Sequence, residues 1–164
     1  MSDRVFNVPF LCTGNSARSI MAEGLLNHLG NGRFRAFSAG SHPKGEVHPM
    51  ALSTLAEWHL PITGFRSKSW DEFAKPDAPK LDFVFTVCDN AAAEVCPVWP
   101  GQPMTAHWGA QDPAAVEGTL EQQRAAFLAV AVVLKRRIEL MLALPINRLD
   151  TLSLQHKLDD IGHA

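Results

Sequence analysis

The sequence predicts an α/β fold, a single-domain parallel sheet wrapped by helices, and three observations carry that expectation. Short apolar runs suited to buried strands alternate with longer segments whose apolar residues recur at helical spacing. Cys12, Cys88 and Asp112, the side chains most suited to chemistry, each follow one of those strand-like runs. Ligands of such folds collect at the strands' carboxyl ends. Finally, no shift of composition divides the 164 residues, which suffice for one core.

Taken in order, 5–11 reads as the first strand, although Pro9 lacks a donor for a sheet ladder and therefore predicts a bulge or an edge. A helix follows over 17–29, with Ile20, Met21, Leu25 and Leu29 inward, and Gly30-Asn31-Gly32 ends it. Residues 33–39 read as the second strand, 38–45 as turn chemistry and 48–59 as a helix with Pro49 in its first turn. A short helix near 70–74 has Ser69 and Glu72 at capping-box spacing. Leu81 to Val87 is the most continuously apolar strand, and another covers 104–108. The long helix at 120–144 offers Leu128, Val132, Ile138 and Leu142 as inward candidates, with Lys135-Arg136-Arg137 interrupting its apolar run before a spanning length of about 20 residues. A last amphipathic helix is expected within 150–161, with Leu152, Leu158 and Ile161 inward. The domain proper is thus 1–144, and 145–164 is a C-terminal helical extension of it.

A formal net charge of −2 without long runs of either sign argues against a nucleic-acid or membrane partner. The first residues enter a strand without the apolar core of a signal peptide, so a cytoplasmic location is expected. Three cysteines, an odd number, do not resemble a secreted disulfide framework.

The chemistry concentrates in Cys12-Thr13-Gly14-Asn15-Ser16-Ala17-Arg18-Ser19. A turn between a strand end and a helix start directs unpaired N–H groups inward and adds the positive end of the helix dipole, so the backbone of Thr13 to Ser19 is suited to an oxyanion. Arg18 adds charge, and the same field is expected to lower the Cys12 thiol below its free value of about 8.5. Ser19 follows with a hydroxyl able to donate to a thiolate. No Gly-Lys-Ser or Gly-Lys-Thr makes this a nucleotide loop, and the histidines and cysteines lack zinc spacing, so no metal is expected. Asp112, on a loop at the same sheet edge, is a candidate acid for a leaving oxygen. Cys88 and Cys96 read equally well as buried thiols or as partners in thiol–disulfide exchange.

Residues 11–23 together with Ser38-Ala39-Gly40 resemble the low-molecular-weight protein tyrosine phosphatase superfamily. Within it, 86–97 and 107–114 look like the arsenate reductase branch. The resemblance implies a four-stranded parallel sheet flanked by helices and a reduction of arsenate to arsenite without bound cofactor. By that likeness Cys12 attacks arsenate, Arg18 and the loop amides hold its oxygens, and Asp112 protonates the departing hydroxide. Cys88 then forms a disulfide with Cys12, and Cys96 moves it outward to an external thiol reductant, thioredoxin or glutaredoxin with a small thiol. Asn15 resembles the residue that fixes the loop, supported by Ser19, Glu23 and Ser38, with Lys68 adding charge near them. Ala17 stands where many relatives carry a second cysteine, which excludes a disulfide within this loop. The alternative is a phosphotyrosine or phosphoester phosphatase in which Cys88 and Cys96 are spectators, and Ala114, where such phosphatases usually place an aromatic, speaks against it. A non-enzymatic oxyanion sensor is a third reading, for which no DNA-reading helix or basic patch is found.

Overall fold

The computed structural model describes residues 5–88 and 103–164. Its sheet has four parallel strands in the order β2-β1-β3-β4, formed by β1 (Phe6–Cys12), β2 (Phe34–Gly40), β3 (Phe83–Thr86) and β4 (Met104–His107). The helices of the described residues are α1 (Arg18–Leu29), α2 (Pro49–Glu57), α3 (Leu120–Leu142) and α4 (Thr151–Ile161). Each strand pair is parallel because a helix or longer segment carries the chain back between strands.

Pro9 sits in a central strand rather than at a bulge or an edge, and the register of β1 with β2 runs unbroken through Pro9 and Phe37. Alternate residues of a parallel strand bond to opposite neighbours. Phe6 and Cys12 bond toward the β2 side, whereas the carbonyls of Asn7 and Leu11 accept Asp82 and Val87 N–H groups on the β3 side. Pro9 shares that second parity, so its missing donor faces β3, where the ladder starts only at Phe10 opposite Phe85. The Asp82 carboxylate takes the Asn7 N–H just below it. The proline costs the sheet no bond it would otherwise make with β2.

The larger core layer packs α1, α3 and α4 on Val8, Phe10, Phe83 and Phe85, and a smaller cluster of Leu11, Ala39, Trp70, Phe73, Leu81 and Val84 fills the other face. On α3 the buried apolar residues are Phe127, Val130, Ala131, Leu134, Ile138 and Met141, with Arg137 buried among them. Leu128 and Val132, expected inward, instead face solvent. The stripe anchored by Phe127 and Ile138 runs at three- and four-residue steps and wins over the one anchored by Leu128, since a helix can turn only one face to the sheet. Ser69 caps the short 3-10 turn Trp70–Ala74 by accepting the Asp71 N–H, but no capping box closes, because Glu72 pairs with Arg66 at 2.6 Å. A true box forms at Thr119 and Gln122, where α3 begins.

Beyond Pro145 the chain turns back to cover the edge strand β4. Leu154, Leu158 and Ile161 of α4 are buried, while Leu152, expected inward, is exposed. Gln155 donates through Nε2 to the Thr105 carbonyl at 2.8 Å, and Trp108 donates through Nε1 to the Leu158 carbonyl at 2.9 Å. An edge carbonyl and a buried indole are thereby satisfied by the same helix, which blunts an edge that would otherwise be open to strand pairing.

Candidate active site

β1 delivers Cys12, β3 leads to Cys88, and the segment after β4 leads to Asp112, so the three sheet-end residues singled out from the sequence meet at one edge. A cavity of about 240 Å³ there is lined by Cys12 to Arg18, His42, Lys44 and Asp112. Larger hollows of about 440 Å³ lie elsewhere and hold none of these groups, so chemistry rather than volume marks the site.

The shape of the anion loop is set by a neighbouring segment. Ser41, His42, Lys44 and His48 donate their backbone N–H groups to the carbonyls of Cys12, Thr13, Gly14 and Ser16, at 3.3, 2.9, 3.0 and 2.8 Å. With those carbonyls drawn outward, the N–H groups of Gly14 to Arg18 find no backbone acceptor among the described residues. They remain available to an anion at the start of α1. Gly40 permits this lacing, since a Cβ there would collide with the Cys12 and Thr13 carbonyls. The lacing also brings the Lys44 stem over Gly14 and puts His42 and Lys44 on the cavity wall. Sequence reading passed over both residues, because their segment reads only as a turn.

Asn15 holds the loop from behind. Its backbone is left-handed, with φ of 47°, a conformation that asparagine tolerates better than most residues. Its fully buried amide donates to Ser19 Oγ at 2.8 Å and accepts the Lys68 N–H at 2.8 Å. Ser19 is thus engaged with Asn15, and no Ser19 bond to Cys12 forms. One layer further back, Ser38 donates to Glu23 at 2.5 Å. Burial pushes the Glu23 carboxyl above its ordinary value, opposed by the Ser38 bond and the Lys68 charge. Burial likewise lowers the Lys68 ammonium, and Glu23 opposes that shift. The four expected supports and Lys68 therefore form one connected network.

Cys12 and Cys88 are both buried free thiols in contact. Cys88 Sγ accepts the Thr13 N–H at 3.2 Å, so the second thiol already sits on the first amide of the anion loop. The loop was expected to lower the Cys12 thiol, but in this conformation it is raised. The hydrogen bond with Cys88 is the largest cause and burial the next, outweighing the lowering influence of Arg18 and the Thr13 N–H. Two adjoining sulfurs ionise one at a time. Cys96 lies outside the described residues.

Arg18 donates to the Ala110 carbonyl at 2.9 Å and lies 3.8 Å from the Asp112 carboxylate. The other Asp112 oxygen accepts the Ala114 N–H at 3.0 Å, which turns the loop into the short 3-10 turn at Pro113. From α3, Arg137 donates to the Trp108 and Gly109 carbonyls at 3.0 and 2.7 Å, anchoring the approach to Asp112. Sequence reading treated Arg137 only as a charge interrupting an apolar run. No group of three or more metal-ligating side chains occurs among the described residues.

A thiol set on a loop of open amides, with an arginine and a carboxylic acid across from it, defines a protein that handles tetrahedral oxyanions through cysteine. The chain belongs to the low molecular weight phosphotyrosine protein phosphatase family, whose model matches residues 7–151. It is 38% identical over 130 residues to an arsenate reductase of Halalkalibacterium halodurans, covering 79% of this chain and 90% of the relative. Among solved structures it is similar to an arsenate reductase in the phosphate binding state, with a TM-score of 0.69, 30% identity and coverage of 84% of this chain and 97% of that one. A thioredoxin-dependent arsenate reductase of Corynebacterium glutamicum matches with a TM-score of 0.56 and 26% identity, over 85% of this chain and 65% of that one.

Proposed function

We propose that this protein reduces arsenate to arsenite by a thiol relay that starts at Cys12 and passes through Cys88. The observation that carries this reading is the contact between Cys88 and both Cys12 and the Thr13 amide, because a phosphate-ester hydrolase needs no second thiol there. The similarity to arsenate reductases over nine-tenths of a curated relative supports the same chemistry.

In the proposed cycle arsenate seats on the open amides of Gly14 to Arg18 with the Arg18 guanidinium as its cationic partner. Cys12 Sγ displaces an arsenate oxygen, and Asp112 supplies the proton with which that oxygen departs as water. Cys88 Sγ then attacks Cys12 Sγ. The sulfur–arsenic bond breaks, its electron pair stays on arsenic, and arsenite leaves as a Cys12–Cys88 disulfide forms. Cys96 attacks Cys88, frees Cys12 and carries the disulfide outward. An external thiol reductant closes the cycle, and thioredoxin is favoured over glutaredoxin with a small thiol by the thioredoxin-dependent structural neighbour. Such a relay belongs in a reducing cytoplasm.

The test measures arsenite formation with thioredoxin, its reductase and NADPH, beside hydrolysis of an aryl phosphate. Cys88→Ser should abolish arsenite formation and spare any aryl phosphate hydrolysis. Arsenate turnover surviving in Cys88→Ser would refute the relay.

A further inference from the structure

Behind the acid loop lies a second cavity, of about 290 Å³, that the reaction does not use. Its walls are Val116, Val130 and Val133 with Ala126 and Ala129 of α3, and the backbone from Gly109 to Pro113 closes the opposite side. It shares Asp112 with the anion cavity, so the two hollows adjoin.

Among the described residues the one cation on this apolar wall is Arg137, only 7% exposed. Its Nη1 donates to two backbone carbonyls, its Nε is buried with no partner, and its Nη2 makes no hydrogen bond among the described residues. Among the described residues no carboxylate pairs with it, and burial is the cause that moves its proton affinity, downward. A buried guanidinium normally has a carboxylate or phosphate on its free edge, since two neutral carbonyls do not cancel a full charge taken out of water. Here Arg137 itself lines an apolar hollow.

We infer that the hollow between α3 and the Gly109–Pro113 backbone is a binding site for a small organic carboxylate, with the anionic head on Arg137 and the apolar body against Val116, Val130 and Val133. A carboxylate complements the guanidinium charge, and the valine and alanine wall favours an apolar body over a bare inorganic ion. Cavities of about 150 Å³ accept benzene, so one of this size takes a single aromatic ring with its carboxylate. Because Arg137 also anchors Trp108 and Gly109, an occupant would bear directly on the loop that carries Asp112.

The test titrates benzoate, benzamide and sodium sulfate into the full-length protein without arsenate, following the Arg137 Nε–H and the amides of Ala110 and Gln111 by NMR. Benzoate should move these signals at least tenfold more tightly than benzamide or sulfate, without matching shifts at Thr13 to Ser19. Ala129→Phe, which fills the hollow from its rim without touching the guanidinium, should weaken benzoate at least tenfold, as should Arg137→Gln. Should Arg137→Gln fail to fold, the Ala129→Phe result decides. Equal binding of benzamide, equal binding of sulfate, unchanged binding in Ala129→Phe, or no saturation by benzoate in the millimolar range would each overturn the assignment. None of these readouts depends on arsenate turnover.

Discussion

Asn15→Ala tests the reasoning about the anion loop most directly. The substitution removes a fully buried amide and leaves the Lys68 N–H and the Ser19 hydroxyl without their partner. Each buried group left unsatisfied costs about 1–3 kcal/mol. Alanine at a φ of 47° adds about 1 kcal/mol of backbone strain. The sum is about 3–7 kcal/mol, a large part of the roughly 5–15 kcal/mol that holds a domain folded. Urea unfolding with a fixed slope should show the midpoint falling accordingly. Asn15→Gly removes the same bonds but not the backbone freedom, and should recover about 1 kcal/mol relative to alanine. Because Asn15 supports amides that face the ligand, phosphate affinity should fall more than the unfolding midpoint predicts when measured well below that midpoint. A loss under about 1 kcal/mol in Asn15→Ala, or glycine no better than alanine, would refute the account of how this loop is held.

Cys88→Ala removes the largest influence raising the Cys12 thiol, so alkylation of Cys12 followed by mass spectrometry should shift to lower pH by roughly a unit or more; an unmoved profile would mean that burial alone sets it. Glu23 has a folded-state value above its ordinary 4.5, so it binds its proton more tightly when folded, and its contribution is complete below that pH and lost as pH rises through the folded value. Glu23→Gln should therefore flatten the decline of stability with rising pH in that range, seen in unfolding midpoints across a pH series. Lys44→Gln keeps the backbone bond to Gly14 but takes a charge from the cavity wall, and should raise the KM for arsenate several-fold with little change in kcat. Leu158→Ala, in the helix that covers β4, should cost about 2–5 kcal/mol and expose the segment after Pro145 to proteolysis.

What could be read from the chain alone was contiguous. Strand, anion loop and helix follow one another from Phe6 to Leu29, and a turn between a strand end and a helix start presents open amides whatever the rest of the fold does. The resemblance over residues 11–23 and 86–97 then marked Cys88 as the partner thiol. Tertiary structure decided the quantities that depend on distant neighbours. Cys88 reaches the loop across 75 residues of sequence, and its sulfur reverses the expected direction of the Cys12 thiol, because hydrogen bonding and desolvation act through space. The inward face of α3 follows the same rule, since Phe127 and Leu128 are equally apolar in sequence and only the position of the sheet chooses between them. Arg137 is the furthest case. Its charge was visible from the start, but a guanidinium becomes an unsatisfied group only when packing removes the water around it and brings no carboxylate in exchange.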